Sequence, residues 1–471
     1  MVILITETTF LTRRVGCYRI ATILRNLGIK VEIIDFLSYW NIEDLIKLLD
    51  NIENIDWIGF SSTYSYFDDG IKNASRITDL NVDDELKLIS FLKNKNIPIV
   101  IGGSNADSLK NNISGFYVVV GYADNAVSIL HNHITKKQVY NFSIVNENNV
   151  LYCDNNADLS NIETIFLPND LIDKNEMLPI EISRGCIFKC KFCEFPLIGK
   201  KPGTYIRPKE SITRDIEQHY YNYEIKNFLF VDDTFNDSIE KMQIISDIRK
   251  DTGIDFEFWS YGRLDLFHAH PKMIDLIENT GWRAVTFGVE TLNKKSGSKI
   301  GKGGDPQKLK DTLKLLRHRY PTIHIQINLI SGLINSTKED IKESIDWFLD
   351  NNIADYIKIS PLTIRDSNNI LSSSEFGRNP EKFGYNIIST DSLNYYWKNK
   401  HWDSSDAKNI ADEMTAYIMS NFKHMRSYHY DYYVQLYKNQ GMKSEEIRKN
   451  ILNYPYAYKY IELKKNILSK L

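Results

Sequence analysis

Three thiols within eight residues are the sharpest chemical feature of this sequence. Cys186, Cys190 and Cys193 stand in the pattern C-x3-C-x2-C, within the segment Arg184, Gly185, Cys186, Ile187, Phe188, Lys189, Cys190, Lys191, Phe192, Cys193. Thiolates are soft ligands, and three on one tight loop can converge on a single metal centre. A structural zinc site takes four ligands. No fourth Cys or His lies near the loop, and the remaining cysteines are Cys17 and Cys153. A cubane iron-sulfur cluster normally takes four thiolates, so one held by three keeps an iron able to bind a small molecule. Five cysteines so distributed are too few and too clustered for a disulfide framework.

The elements around the loop predict how it is held. From residue 180 onward, apolar strand-like runs at 180–183, 228–231, 256–260, 284–288, 324–330 and 356–359 alternate with amphipathic helical patterns. Six strand-helix units predict a partial (β/α)6 TIM-type barrel over residues 176–370, with the cysteine loop at the carboxyl end of its first strand. Barrel enzymes place their chemistry on that face. The later strand ends carry Asp232 and Asp233, then Arg263, then Glu290, then Asn328. Taken singly, an Asp there can cap the following helix and Glu290 can be a solvated loop acid.

Residues 1–135 show a second alternating series. Strands are expected at 2–6, 31–36, 57–61, 97–101 and 117–120, with helices between them, which predicts an α/β, doubly wound parallel sheet. A ligand of such a sheet sits above the carboxyl ends of its strands. Those ends carry Ser61, Ser62 and Thr63, then Gly102, Gly103 and Ser104, then Gly121. Small residues there let a large ligand approach the backbone, although glycines also serve tight turns. Residues 136–175 are polar and read as a connector. Residues 371–471 read as a loop-rich, then mainly helical tail, rich in aromatics: Tyr395, Tyr396, Trp397, Trp402, Tyr428, Tyr430, Tyr432, Tyr433 and Tyr437. Aromatics interleaved with Lys423, His424, Arg426 and His429 can stack a base or line a peptide groove. The plainer expectation is a helical cap over the barrel mouth.

The cysteine loop resembles the cluster loop of the radical S-adenosylmethionine (SAM) superfamily, C-x3-C-x-aromatic-C, with Phe192 as the aromatic. Segments at later strand ends agree in order. Phe230–Phe235 is similar to the F-x-D-D-x-F motif whose backbone meets the SAM amino group. Phe287–Thr291 is similar to F-G-x-E-S near the ribose. Asn328–Leu333 is similar to the fifth-strand segment, although Ile334, Asn335 and Ser336 depart from its usual ending. Pro202, Arg207, Pro208 and Glu210 fit the stretch after the loop. The resemblance implies a [4Fe-4S] cluster on Cys186, Cys190 and Cys193, and SAM contacts from Phe192, Asp232, Asp233, Glu290 and Asn328. Arg263 then faces the SAM carboxylate.

Residues 1–135 resemble the cobalamin-binding Rossmann-type domain that precedes the barrel in one large subfamily. The likeness lies in Tyr18–Val31, Ile101–Ser104 and Val118–Asp124, with Tyr122 where Glu is usual. It implies cobalamin contacts at Ser61, Gly102, Gly103 and Gly121. The D-x-H-x-x-G motif is absent, and His131 and His133 are the histidines before residue 150, so ligation of cobalt by His is not expected. Cys17 is expected to be a small buried hydrophobe.

The likeness spans about residues 1–370 and implies a radical enzyme. SAM is cleaved to a 5'-deoxyadenosyl radical that takes hydrogen from an unactivated carbon, followed by cobalamin-dependent methyl transfer. A cobalamin-free rearrangement, epimerisation or oxidation is the alternative, and a metal-stabilised RNA- or peptide-binding protein is the non-enzyme one. A flavodoxin or ferredoxin is the expected electron donor; the substrate, small molecule or peptide, is not encoded in any motif. The 471-residue chain has 58 Lys and Arg against 61 Asp and Glu, a net charge of -3 that gives no general pull on nucleic acid or anionic membrane. No apolar run of membrane-spanning length or signal peptide is evident, so a cytoplasmic protein is expected.

Overall fold

The computed structural model describes residues 1–7, 12–62, 78, 80–103, 106–153, 158–195, 198–302, 304–365, 374–390, 394–421 and 455–471. Thr63, Ser104 and the tail aromatics and cations from 423 to 437 lie outside them. The chain divides into two compact units. One comprises the described residues of Met1–Ile180, Arg214–Ile225 and Leu452–Leu471, and the other those of Glu181–Thr213 and Lys226–Ile451.

The first unit is built on strands β1 (Val2–Ile5), β2 (Val31–Ile34), β3 (Trp57–Ser61), β4 (Ile99–Gly102), β5 (Tyr117–Val120), β6 (Ser143–Val145) and β7 (Asn148–Tyr152). Their order is β2-β1-β3-β4-β5-β7-β6, parallel except for the β6-β7 pair. β1 and β2 are buried along their whole length, as expected of strands covered on both faces. Helices Val15–Asn26, Ile42–Asp50, Val82–Asn94 and Val127–Ile134 connect the strands. Two of these helices start on Asn side chains that accept a backbone N–H, Asn41 from Asp44 and Asn81 from Asp84.

Two expectations need correction here. Residues 136–175 are not only a connector, because β6 and β7 extend the sheet beyond β5. Nor do the described residues of 371–471 form one region: helix Pro455–Leu468 belongs to the first unit. Tyr460 donates its hydroxyl to Ile33 O (2.8 Å) and accepts Asp35 N–H (3.0 Å), while Lys464 pairs with Glu32 at 2.7 Å. A fully buried network continues from that helix. Arg13 holds Glu176 through two hydrogen bonds (2.6 and 2.7 Å) and reaches Tyr18 Oη at 2.6 Å. Tyr18 in turn donates to Asp35 at 3.0 Å. Contacts across more than 400 residues leave no periodic trace in the sequence.

The second sheet contains β8 (Leu178–Ile180), β9 (Asn227–Phe230), β10 (Glu257–Gly262), β11 (Trp282–Glu290), β12 (His324–Ser331) and β13 (Tyr356–Pro361). They lie in sequence order from β8 to β13, and β9 to β13 pair in parallel, which is the partial (β/α)6 arrangement. On β12, Ile325, Ile327 and Leu329 are buried, while Gln326 and Asn328 alternate with them on the opposite face. Phe230 stacks on Phe258 with ring centroids 3.9 Å apart, part of an aromatic core joining β9, β10 and β11.

Beyond the barrel the structure is less helical than expected. A three-stranded antiparallel sheet, β14 (Ile364–Arg365), β15 (Asn386–Thr390) and β16 (Asn394–Lys398), precedes helix Ser404–Asn421. Tyr395, Tyr396 and Trp397 are strand residues of β16. Trp397 and Trp402 are buried, so their rings serve a core and not a base-stacking surface.

Candidate active site

The cysteine loop starts two residues into an irregular stretch clamped from both sides. Ser183 bridges Ile206, Arg184 N–H donates to Tyr205 O and Arg207 N–H to Ile182 O, so the chain entering the loop lies beside the chain leaving it. Within the loop Lys200 N–H donates to Cys186 O, Gly199 N–H to Phe188 O and Cys193 N–H to Cys190 O. Arg184 is spent on a two-pronged contact with Glu181 at 2.7 and 2.8 Å. Cys186 and Cys190 are buried and Cys193 is half-buried, all as free thiols. Burial pushes the Cys186 thiol up to about 11 and the Cys193 thiol to about 12.

Among the described residues no group of three Cys, His, Asp or Glu side chains is arranged to hold one metal ion. A closed zinc site sets four ligands on one ion, whereas in a cubane each thiolate takes a different iron. The donor set fits the cluster that the loop implies.

Strand ends bring further groups to the thiols. Thr234 Oγ1 lies 3.6 Å from Cys186 Sγ. Arg263 Nη1 lies 3.6 Å from Cys190 Sγ, with its guanidinium 3.7 Å from the centroid of the Phe188 ring. Asn236 fixes that arginine's backbone on both sides, accepting Arg263 N–H at 2.8 Å and donating to Arg263 O at 2.9 Å. The fork of Arg263 is taken up by Asp265 at 3.0 and 2.7 Å, so its charge faces the thiol of Cys190 and not an open carboxylate site.

The two neighbouring aspartates differ sharply. Asp232 is consumed by Lys241, whose fully buried ammonium lies 3.0 and 3.2 Å from its oxygens and also contacts Asp237 at 2.8 Å and Thr234 O at 2.9 Å. Asp233 has no side-chain hydrogen bond or ion pair among the described residues. Burial first, and then the charge of Asp232, raise its carboxyl to about 7. On β11, Glu290 pairs with Lys302 at 2.8 Å, and Lys302 lies 5.8 Å from the Phe192 ring centroid. Asn328 accepts a hydrogen bond from Gln326 at 2.9 Å.

Lys241, Thr234 and Lys302 carry no signal that the strand-end reasoning used. Lys241 is one lysine of an ordinary amphipathic helix pattern. Lys302 lies between glycines in the run Gly301, Lys302, Gly303, Gly304, which marks a loop but not its target.

In the first unit the strand order changes direction between β1 and β3, the crevice position of a doubly wound sheet. Around it, Arg14 donates to Ser61 O at 3.0 Å and Ser62 donates to Gly102 O at 2.7 Å. Among the described residues nothing lies within 4 Å of the position a Cβ would take at Gly102. Gly103 and Gly121 adopt φ of 107° and 99°, where a side chain is strained. This leaves bare backbone at two neighbouring strand ends, a cradle of the kind a large flat cofactor requires. Cys17 is buried, with its thiol pushed to about 11. His131 accepts a hydrogen bond from Trp57 Nε1 at 3.2 Å and is part of the core.

A family model for the radical SAM superfamily matches residues 180–348. That stretch is a radical SAM domain. The domain implies a [4Fe-4S] cluster and SAM as cofactors, and the loop of three thiols lies within the matched residues.

Among curated relatives, an uncharacterized methyltransferase of Pyrococcus horikoshii is 28% identical over 40% of this chain and 42% of its own length. The bacteriochlorophyllide d C-8(2)-methyltransferase of Chlorobaculum tepidum is 24% identical over 39% and 41%. The chain thus spans less than half the length of these relatives.

Solved structures extend the likeness beyond the radical SAM domain. TsrM from Kitasatospora setae, a radical SAM methyltransferase solved with cobalamin and a [4Fe-4S] cluster, is 16% identical, with a TM-score of 0.59 over 83% of this chain and 81% of its own. OxsB, a cobalamin-dependent SAM radical enzyme, is 15% identical, with a TM-score of 0.62 over 99% of this chain and 71% of its own. At such identities the likeness is one of fold. No helix among the described residues is long and apolar enough to cross a membrane.

Proposed function

We propose that this chain is a radical SAM enzyme that binds cobalamin on its first unit and transfers a methyl group to a carbon of its substrate. The observation carrying the reading is the clamped loop of three free thiols with a paired arginine set against one of them. The cobalamin-dependent enzymes that share the fold, and the methyltransferase relatives, support the finer part.

When bound, the cluster supplies the electron that converts SAM to a hydrogen-abstracting 5'-deoxyadenosyl radical, and cobalamin carries the methyl group. The chain's own residues bind and orient. Cys186, Cys190 and Cys193 hold the irons. Arg263 sets a positive charge beside Cys190, which stabilises the thiolate and favours the reduced state of what it ligates. Phe188 and Phe192 put apolar faces around the loop and limit water. Asp233 and one oxygen of Glu290 are acceptors for the amino and ribose groups of SAM, and Asn328 adds a polar edge on the fifth strand. The open backbone at Gly102, Gly103 and Gly121, with Ser61 beside it, receives the cobalamin. Reducing equivalents come from a flavodoxin or ferredoxin.

The test is anaerobic reconstitution with iron and sulfide, followed by hydroxocobalamin, SAM and dithionite. The expected result is a brown protein that retains cobalamin absorbance after gel filtration and forms 5'-deoxyadenosine. A colourless protein that leaves SAM intact overturns the enzyme, and a brown one that retains no cobalamin overturns the methyl-transfer part.

A further inference from the structure

We propose that Lys302 is the positioning residue that aims Glu290 at the SAM ribose, and that position 288 is glycine so that the lysine can reach it; this rests on the radical SAM reading of the site. Glu290 ends β11 at an irregularity. The pairing with β12 shifts register between Gly288 and Glu290, and Glu290 adopts a left-handed φ of 64°. A bulge of this kind re-aims a side chain, and a non-glycine residue in that conformation is strained unless its surroundings hold it.

Lys302 does the holding. Its ammonium donates to Glu290 Oε1 at 2.8 Å and also to Gly288 O, with side-chain exposures of only 16% for the lysine and 10% for the glutamate. A Cβ at position 288 would sit 2.6 Å from Lys302 Nζ and against Glu290 Oε1 as well. Both groups occupy space that any other residue at 288 would fill. Glu290 Oε2, by contrast, has no hydrogen-bond partner among the described residues. One oxygen is anchored and the other is left to accept from a hydroxyl.

Lys302 is itself tied to the cluster loop. Its N–H donates to Gly297 O at 3.0 Å, and Lys191 N–H donates to Ile300 O at 2.9 Å. A Cβ at Gly301 would lie 3.7 Å from Cys190 Cα, and Lys302 Nζ lies near the Phe192 ring. The lysine therefore sets the fourth-strand acid in fixed register with the cysteines. A surface ion pair would have no reason to be built into the cluster loop in this way.

The experiment compares binding of SAM with binding of its 2',3'-dideoxyribose analogue by the reconstituted full-length protein, for the wild type and for Lys302→Met, Lys302→Arg and Gly288→Ala. The wild type is expected to prefer SAM about 10-fold or more. Lys302→Met should weaken SAM binding about 10- to 100-fold and abolish the preference, with iron content and visible spectrum unchanged. Lys302→Arg should restore part of the preference. Gly288→Ala deletes no polar group and should reproduce the loss by wedging the pair apart. The inference is overturned if Lys302→Met keeps the wild-type preference, if the wild type has none, or if both Lys302→Met and Gly288→Ala lose the cluster. A wild type that forms the cluster yet binds neither compound overturns the radical SAM reading itself.

Discussion

The two units bury charge for different ends. In the first, Arg13, Glu176, Tyr18, Asp35, Tyr460, Lys464 and Glu32 satisfy one another around β2 and the C-terminal helix. In the second, Lys241, Arg263 and Lys302 each have a carboxylate, and beside them the Asp233 carboxylate and one oxygen of Glu290 have no hydrogen-bond partner among the described residues, while two of the three free thiols have long contacts to Thr234 and Arg263. A closed network is what structural burial demands, because an unpartnered buried charge is costly. An open one is stable only at the expense of folding energy or with a ligand in place. The contrast is what sets the second unit's strand ends apart as the proposed site.

The strongest way to break the comparison is to remove a thiol. Cys186→Ala should abolish 5'-deoxyadenosine formation, a loss of at least about 1,000-fold, with iron and visible absorbance falling in parallel, because a cubane with two protein ligands is not held. Its urea unfolding should change little. Retained turnover in that variant contradicts the assignment of the loop.

Next in size is the buried pair that closes the first unit. Lys464→Met takes the ion-pair partner from buried Glu32 and leaves it only the Asn169 amide, and such a change costs about 3–5 kcal/mol. Urea denaturation should show it as a lowered midpoint, while the spectrum of a reconstituted cluster stays as in the wild type. An unchanged midpoint would mean that the C-terminal helix is not part of that unit's core.

The smallest expected effect sharpens the comparison through pH. Burial, opposed by Arg13, raises the Asp35 carboxyl from its ordinary 3.8 to about 6. A raised carboxyl binds its proton more tightly in the folded chain than in the unfolded one. Its contribution is therefore fully present below about pH 4 and is lost as pH rises through about 6. The loss is about 2–3 kcal/mol, taking about 1.4 kcal/mol per pK step. Asp35→Asn should flatten this part of the stability-pH curve, measured by urea midpoints from pH 4 to 7. A variant whose curve keeps the wild-type slope would assign the titration to another group.

How much of this was readable in the chain depends on range. The alternation of apolar runs placed the strands of both sheets within a few residues, because strand and helix periods are local. The likeness to the radical SAM superfamily was legible for the same reason, because the three thiols that carry it lie within eight residues. What Asp232 and Arg263 do was not. Both stand at the expected strand ends, yet Asp232 is spent on Lys241, nine residues further on, and Arg263 is spent on Asp265. Which of several nearby charges faces which is decided by packing, and no spacing reports it. The aromatic tail shows the same limit: Trp397 and Trp402 had the composition of a binding surface and became core.

The order of residues by itself determined a pair of α/β series and a loop of three thiols with its aromatic neighbour, since period, turn chemistry and ligand spacing are properties of adjacent residues. The tertiary structure alone decided that helix Pro455–Leu468 completes the first unit, that β6 and β7 widen its sheet, and that Lys302 reaches through the space left by Gly288 to hold Glu290. Those outcomes depend on desolvation, which selects among the charges that long-range packing brings together and leaves no imprint on any short window of sequence.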